Sequence, residues 1–162
     1  SNAGVDPARK YCLTKLHELF RNIFLRYPVL PEAEGVSIEK KPEELTPEEK
    51  VVLEDKANRF ATDLEECMFE LYAEPDAKTG KRTAAAKYKE RFRMLTFNLS
   101  KSDRVVLHKR IAASHISPKE LSTMSSTDLA DEETKQSIRQ AEQEALEHSI
   151  LKKTVMPRAK MT

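Results

Sequence analysis

Four cationic side chains, Lys87, Lys89, Arg91 and Arg93, fall within the seven residues KYKERFR, interleaved with Tyr88 and Phe92. Ammonium and guanidinium groups at this density pair with carboxylates or phosphates, and the planar fork of arginine takes a carboxylate bidentately. The chemistry on offer is recognition of an acidic protein surface or of nucleic acid. Its two rings either stack on bases or fill a core.

Other reactive residue types do not combine. His17, His108, His115 and His148 show neither H-E-x-x-H nor H-x-x-x-H spacing and read as surface or boundary histidines. Cys12 and Cys67 lack C-x-x-C spacing and sit at helical, core-type positions, which reads as reduced thiols in an intracellular compartment. Asp63, Glu65 and Glu66 are close enough for acid–base work, but the helical pattern assigns them to a solvent side. Three glycines are too few for a phosphate-cradling loop, and no serine or cysteine has a nucleophile signature around it. The sequence therefore reads as no enzyme, with no metal and no cofactor.

The elements that must carry KYKERFR are helical. The chain has 162 residues, 39% apolar and 34% charged, enough for one domain, and its Ala, Glu, Lys, Leu and Arg content indicates an all-α fold. A formal charge of +1 hides segregation: residues 32–76 hold 15 acidic and 5 basic side chains, residues 81–115 hold 10 basic and 2 acidic. A basic region of this kind seeks phosphates or an acidic surface. No run of about 18 apolar residues is present, so no membrane span is expected.

Leu13, Leu16, Phe20, Ile23, Phe24 and Tyr27 recur at helical steps and predict a helix from about Pro7 to Tyr27, ended by Pro28. Residues 28–45 are Pro- and Glu-rich without period and read as a loop or extended connector. Thr46-Pro47-Glu48-Glu49 has the form of a capping box. It opens a helix with the stripe Leu53, Ala57, Phe60, Ala61, Leu64, Cys67, Met68 and Leu71.

On a third helix, Ala85, Tyr88, Phe92, Leu95 and Leu99 fall within about 80° of one another and form a buried stripe. Arg82, Lys89 and Arg93 then border it on one flank, Lys87 and Arg91 on the other. Phe97 lies opposite the stripe and is expected to pack under the short helices that follow. Ser102 is a candidate cap for a helix to about Ala112, and Ser117-Pro118-Lys119-Glu120 repeats the capping device. Ser125 or Ser126 caps a further turn. A last helix runs from about Asp131 to Lys153 on a thin stripe of Ile138, Ala141, Ala145 and Ile150, with a frayed basic tail at 154–162.

These residues carry a resemblance. Lys87-Tyr88-Lys89-Glu90-Arg91-Phe92-Arg93, Asn98-Leu99, Ile116-Ser117-Pro118, Leu121, Met124 and Asp128-Leu129-Ala130 resemble, in that order, the K-Y-K-x-R-x-R, N-L, I-T-P, L-x-x-M and E-L-A pattern of the central domain of transcription elongation factor S-II. RKYCLTKLHEL at 9–19 is similar to that family's first helix, and ATDLEECMFELY at 61–72 to its second. Residues 28–50 read as an insertion, and Ser114-His115 replaces a glycine-containing turn. Residues 1–3 read as an expression scar and 4–153 as the domain.

The resemblance implies a three-helix bundle with additional short helices and a long C-terminal helix. It implies docking on the jaw region of the largest subunit of RNA polymerase II, in the nucleus and as a monomer. Lys87, Lys89, Arg91 and Arg93 are the contact residues it implies, with nucleic-acid binding by the same face as the alternative. Transcript cleavage in that family belongs to a separate zinc ribbon of four cysteines. The sequence is more similar to the ribbon-lacking form that accompanies PHD-finger and SPOC domains in transcription regulators, and it implies binding without stimulation of cleavage.

Overall fold

The computed structural model describes residues 6–31 and 37–161, without the side chains of 135–137 and 150–161. Three long helices form the body: α1 (Pro7–Arg26), α2 (Pro47–Tyr72) and α3 (Ala86–Leu99). Two short ones follow, α4 (Val105–Ala112) and α5 (Pro118–Thr123), and then a long α6 (Ser126–Met161). The fold is all-α, as the composition and periodicity require.

Local chemistry sets the helix starts. Asp6 accepts from the backbone N–H groups of Ala8 and Arg9, satisfying donors that have no partner inside α1. At α2 the capping box is complete: Glu49 N–H donates to Thr46 Oγ1 at 3.1 Å and Thr46 N–H to Glu49 Oε1 at 2.9 Å. Ser117 accepts from Glu120 N–H at α5. Ser125 and Asp128 exchange a reciprocal pair at α6, so the turn read at Leu129 and the last helix are one element beginning at Ser126. Ser102 caps nothing. α4 starts instead at Arg104, and Glu133 of α6 accepts from Val106 and Leu107 N–H, a cap supplied from 26 and 27 residues away.

The connector at 28–45 has more structure than its composition suggests. β1 (Val29–Pro31) pairs antiparallel with β2 (Ser37–Glu39), and a single 3₁₀ turn at Pro42–Glu44 leads into α2. Leu30 anchors the ribbon, buried against the bundle. A second ribbon, β3 (Glu74–Pro75) with β4 (Arg82–Thr83), joins α2 to α3. Its tip uses Asp76 to accept from Lys78 and Thr79 N–H and Gly80 at φ 70°, a conformation that favours glycine.

The core lies where α1 and α2 pack along their length, and α3, α4 and α5 close over it. Leu16, Phe20 and Phe24 of α1 meet Ala57, Ala61, Leu64 and Met68 of α2 and Tyr88, Leu95 and Leu99 of α3. Leu107, Ile111, Ile116, Leu121 and Leu129 continue it under the short helices. Two positions of the α2 stripe fall outside this core: Leu71 is exposed, and Cys67 is half-buried, unlike Cys12. Beyond its first turns α6 leaves the bundle. Ile138, Ala141 and Ala145 are exposed, so that stripe is not packed; Ile150 lies outside the described side chains. The helical backbone continues past Thr154, where the sequence suggested frayed chain, to Met161. The expected scar at 1–3 lies outside the described residues.

The turn between α4 and α5 shows how the missing glycine is accommodated. Ser114 takes φ 64°, His115 N–H reaches Arg110 C=O at 2.8 Å and Ser114 N–H reaches Ile111 C=O at 3.0 Å. That double bond pattern is a Schellman ending, normally made with glycine because a Cβ is disfavoured at positive φ.

Candidate functional site

Helix α3 has no side-chain cap of its own. Its N-terminus is held by Glu74 of β3, whose carboxylate accepts from Lys87 N–H, so the second ribbon fixes where α3 begins. The inner stripe is as the spacing predicts: Tyr88, Phe92, Leu95 and Leu99 are buried.

What Tyr88 meets inside is not apolar. Its hydroxyl donates to Glu65 Oε2 at 2.8 Å. The same carboxylate takes a bidentate fork from Arg9, with Nε to Oε2 at 2.8 Å and Nη2 to Oε1 at 2.7 Å. Arg9 also stacks on the Phe69 ring, 3.8 Å from its centroid. Glu65 is fully buried, which overturns its assignment to the solvent side of α2; Asp63 and Glu66 do stay at the surface region of that helix. The pairing with Glu65 raises the pKa of Arg9, and burial followed by the bond to Glu65 pushes the Tyr88 phenol up. One carboxylate thus joins α1, α2 and α3. Such a buried network is weak evidence for stability but fixes register, because any other alignment leaves a charge unpaired.

The four predicted contact residues divide. Lys87, Lys89 and Arg93 are exposed, and none has an ion-pair partner among the described residues. Arg91 is half-buried and engaged. It donates to the carbonyl of Met124, where α5 ends, and lies over the Tyr72 ring at 4.7 Å. Tyr72 in turn donates to Ser122 C=O at 3.3 Å. Arg91 therefore ties α3 to the ends of α2 and α5.

Arg82 also has a structural task. Its guanidinium donates to the carbonyls of Phe69 and Glu70, the last turn of α2, which contains no basic residue of its own.

Two residues depart from their sequence reading. Phe97 does not pack under the short helices: it is 67% exposed, with the Lys101 ammonium 4.5 Å from its ring centroid. The helical angle had already placed it opposite the stripe. His108 is no surface histidine but 4% exposed, with Nε2 2.7 Å from Leu99 C=O, and burial lowers its pKa. Among the described residues no group of three His, Cys, Asp or Glu could hold a metal ion, and no helix is long and apolar enough to cross a membrane.

The architecture is thus a helical bundle that turns to solvent three cations of one helix that have no ion-pair partner among the described residues. The central domain of transcription factor S-II (TFIIS) matches residues 5–149, and the chain belongs to that family. Transcription elongation factor TFIIS of Arabidopsis thaliana is 36% identical over 88 residues, covering 54% of this chain and 21% of that relative. The chain therefore spans about a fifth of the length of the relative it matches. No solved structure matches it.

Proposed function

We propose that this domain is an RNA polymerase II-docking module of a nuclear transcription elongation or chromatin-associated regulator. It binds through the outer side of α3 without itself stimulating transcript cleavage. The observation that carries this reading is the set Lys87, Lys89 and Arg93, exposed and without ion-pair partners among the described residues, on the helix that bears the K-Y-K-x-R-x-R motif. Unpaired cations on a rigid helix face an acidic partner without first breaking internal bonds, and their field speeds encounter. Arg91 contributes by holding the helix in place. The contact surface on the polymerase is the jaw region of its largest subunit, reached by a single copy of the chain.

Capture of purified RNA polymerase II by the immobilised chain tests this. Capture should be strong with the wild type, weaker at higher salt, and lost in the triple variant Lys87→Glu, Lys89→Glu, Arg93→Glu with an unchanged circular-dichroism spectrum. Undiminished capture by that folded variant would refute the site.

A further inference from the structure

One face of α1 is unused by the core or by the docking reading. Tyr11, Lys15, Asn22 and Arg26 follow one another at steps of four, seven and four residues, which places them on one stripe of the helix. Clefts line this stripe from end to end. At the C-terminal end a cavity of about 290 Å³ lies between Arg26, Tyr27, Lys41 and Lys109. The next cleft shares Arg26 with it and reaches Asn22 and Ser100. A third shares Asn22 and Ser100 and ends at Tyr11 and Lys15; a fourth shares Thr96 and Ser100 with the third and runs to Phe97 and Lys101. Adjacent clefts share lining residues, so together they form a track that runs between α1 and α3 and ends between α1, the first ribbon and α4. From Tyr11 to Tyr27 it is about 24 Å long at the helical rise.

Rings and cations alternate along it. Tyr27 has both the Arg26 guanidinium, at 5.6 Å, and the Lys109 ammonium, at 5.9 Å, near its ring. Phe97 has Lys101 at 4.5 Å, and Tyr11 has Lys15 at 5.8 Å. Tyr11 and Phe97 are both mostly exposed, so each offers a ring face to solvent. Seven lysines and arginines line the track against two carboxylates, Glu18 and Glu39. Among the described residues, Lys15 and Lys40 of the seven pair with carboxylates, Glu18 and Glu49. Ser100, Thr96 and Asn22 add neutral hydrogen-bonding groups between the rings.

We propose that this track binds single-stranded nucleic acid, its rings stacking on successive bases and its cations tracking the backbone. An acidic peptide would use the cations but would leave the exposed rings without flat partners, whereas every base has a π-face to offer. A duplex presents its bases already stacked and would reach only the cations. The surface excludes Lys87 and Lys89 but shares Arg93 with the docking set, so variants at Lys87 and at Phe97, rather than at Arg93, separate polymerase docking from strand binding.

The test is fluorescence anisotropy of a labelled oligothymidylate of about 12 nucleotides with the intact chain, over about 50 to 200 mM salt. Saturable binding that weakens with salt is expected. Phe97→Ala, a change at an exposed side chain, should weaken binding by about five- to hundredfold at fixed salt. Lys109→Ala should reduce both affinity and the salt slope, while Lys119→Ala on α5, which lines no part of the track, and Lys87→Ala should leave binding within about twofold of wild type. Absence of binding at the lowest salt, equal binding of a duplex, or full affinity in Phe97→Ala would each overturn the proposal. So would tighter binding of a labelled oligoglutamate than of the oligothymidylate, which would assign the track to an acidic protein.

Discussion

The inner and outer sides of α3 contain the same residue types in opposite states. Tyr88 is fully buried with its hydroxyl on Glu65, whereas Phe97, nine residues on, is 67% exposed under Lys101. Arg91 is bound to the end of α5 and stacked on Tyr72, whereas Arg93, two residues on, has no ion-pair partner among the described residues. The difference follows from rotation. A step of two residues turns a helix by about 200°, so adjacent members of one basic motif serve different masters. Residues facing the bundle hold α3 in position, and residues facing away are held out for a partner. A charge-rich motif therefore divides into a structural and a binding half, and each half should respond to its own kind of perturbation.

The largest effect is expected at the centre of the inner network. Glu65→Ala leaves the Arg9 guanidinium buried without its carboxylate and Tyr88 without its acceptor. Breaking one partner of a buried ion pair is destabilising by about 3–5 kcal/mol, which urea unfolding would show as a lower midpoint or an unfolded chain. A loss below about 1 kcal/mol would remove the network from its role as the junction of the three long helices. Tyr88→Phe keeps the ring and deletes one bond to a charged group, so a loss of about 1.5–3 kcal/mol is expected in the same measurement.

A pH dependence of the inner side follows from His108. Burial lowers its folded-state pKa below that of the unfolded chain, and His17 is shifted in the same direction, also through burial. Below about pH 6.5 the unfolded chain therefore takes up protons that the folded chain refuses, and stability falls as the pH falls. Above that range the contribution is absent. Urea midpoints between about pH 7.5 and 5 should decline by no more than about 1.4 kcal/mol per pH unit for each histidine. The decline should be shallower in His108→Gln, and an equal slope in that variant would assign the effect elsewhere.

The smallest effect should come from the α4–α5 turn. Ser114→Gly relieves a left-handed serine in a Schellman ending and should raise stability by about 1 kcal/mol or less, read as a higher thermal midpoint. A lower midpoint would mean that the serine side chain has a role its backbone geometry does not reveal.

Much of the inner side was legible before any coordinates. Apolar periodicity places Leu16, Phe20, Leu64, Tyr88 and Leu95 correctly, because regular spacing gathers them on the one face of each helix that meets the bundle. The Thr46 box and the Ser117 cap are local interactions within three residues, and they form as read; the Asp6 cap of α1 is equally local. What spacing cannot express is a partner distant in sequence. The helical pattern puts Glu65 toward solvent, and its burial is made tolerable by Arg9, 56 residues earlier, and Tyr88, 23 residues later. Arg91 and Met124, or Glu133 and the start of α4, are pairings of the same kind. The 28–45 segment failed for a different reason: strands of three residues are too short to show a period. For the outer side, the angle correctly put Phe97 opposite the stripe, but the absence of anything packed over it is a property of the assembled bundle.

The most direct test of the division across α3 compares two neighbouring arginines in one assay. Urea-unfolding midpoints of Arg91→Ala and Arg93→Ala, measured side by side, should separate. Arg91→Ala should lose about 1–2 kcal/mol with its bond to a buried helix end and its ring contact, and Arg93→Ala should stay within about 0.5 kcal/mol of wild type. Equal losses in the two variants, or a larger loss for Arg93→Ala, would contradict the account.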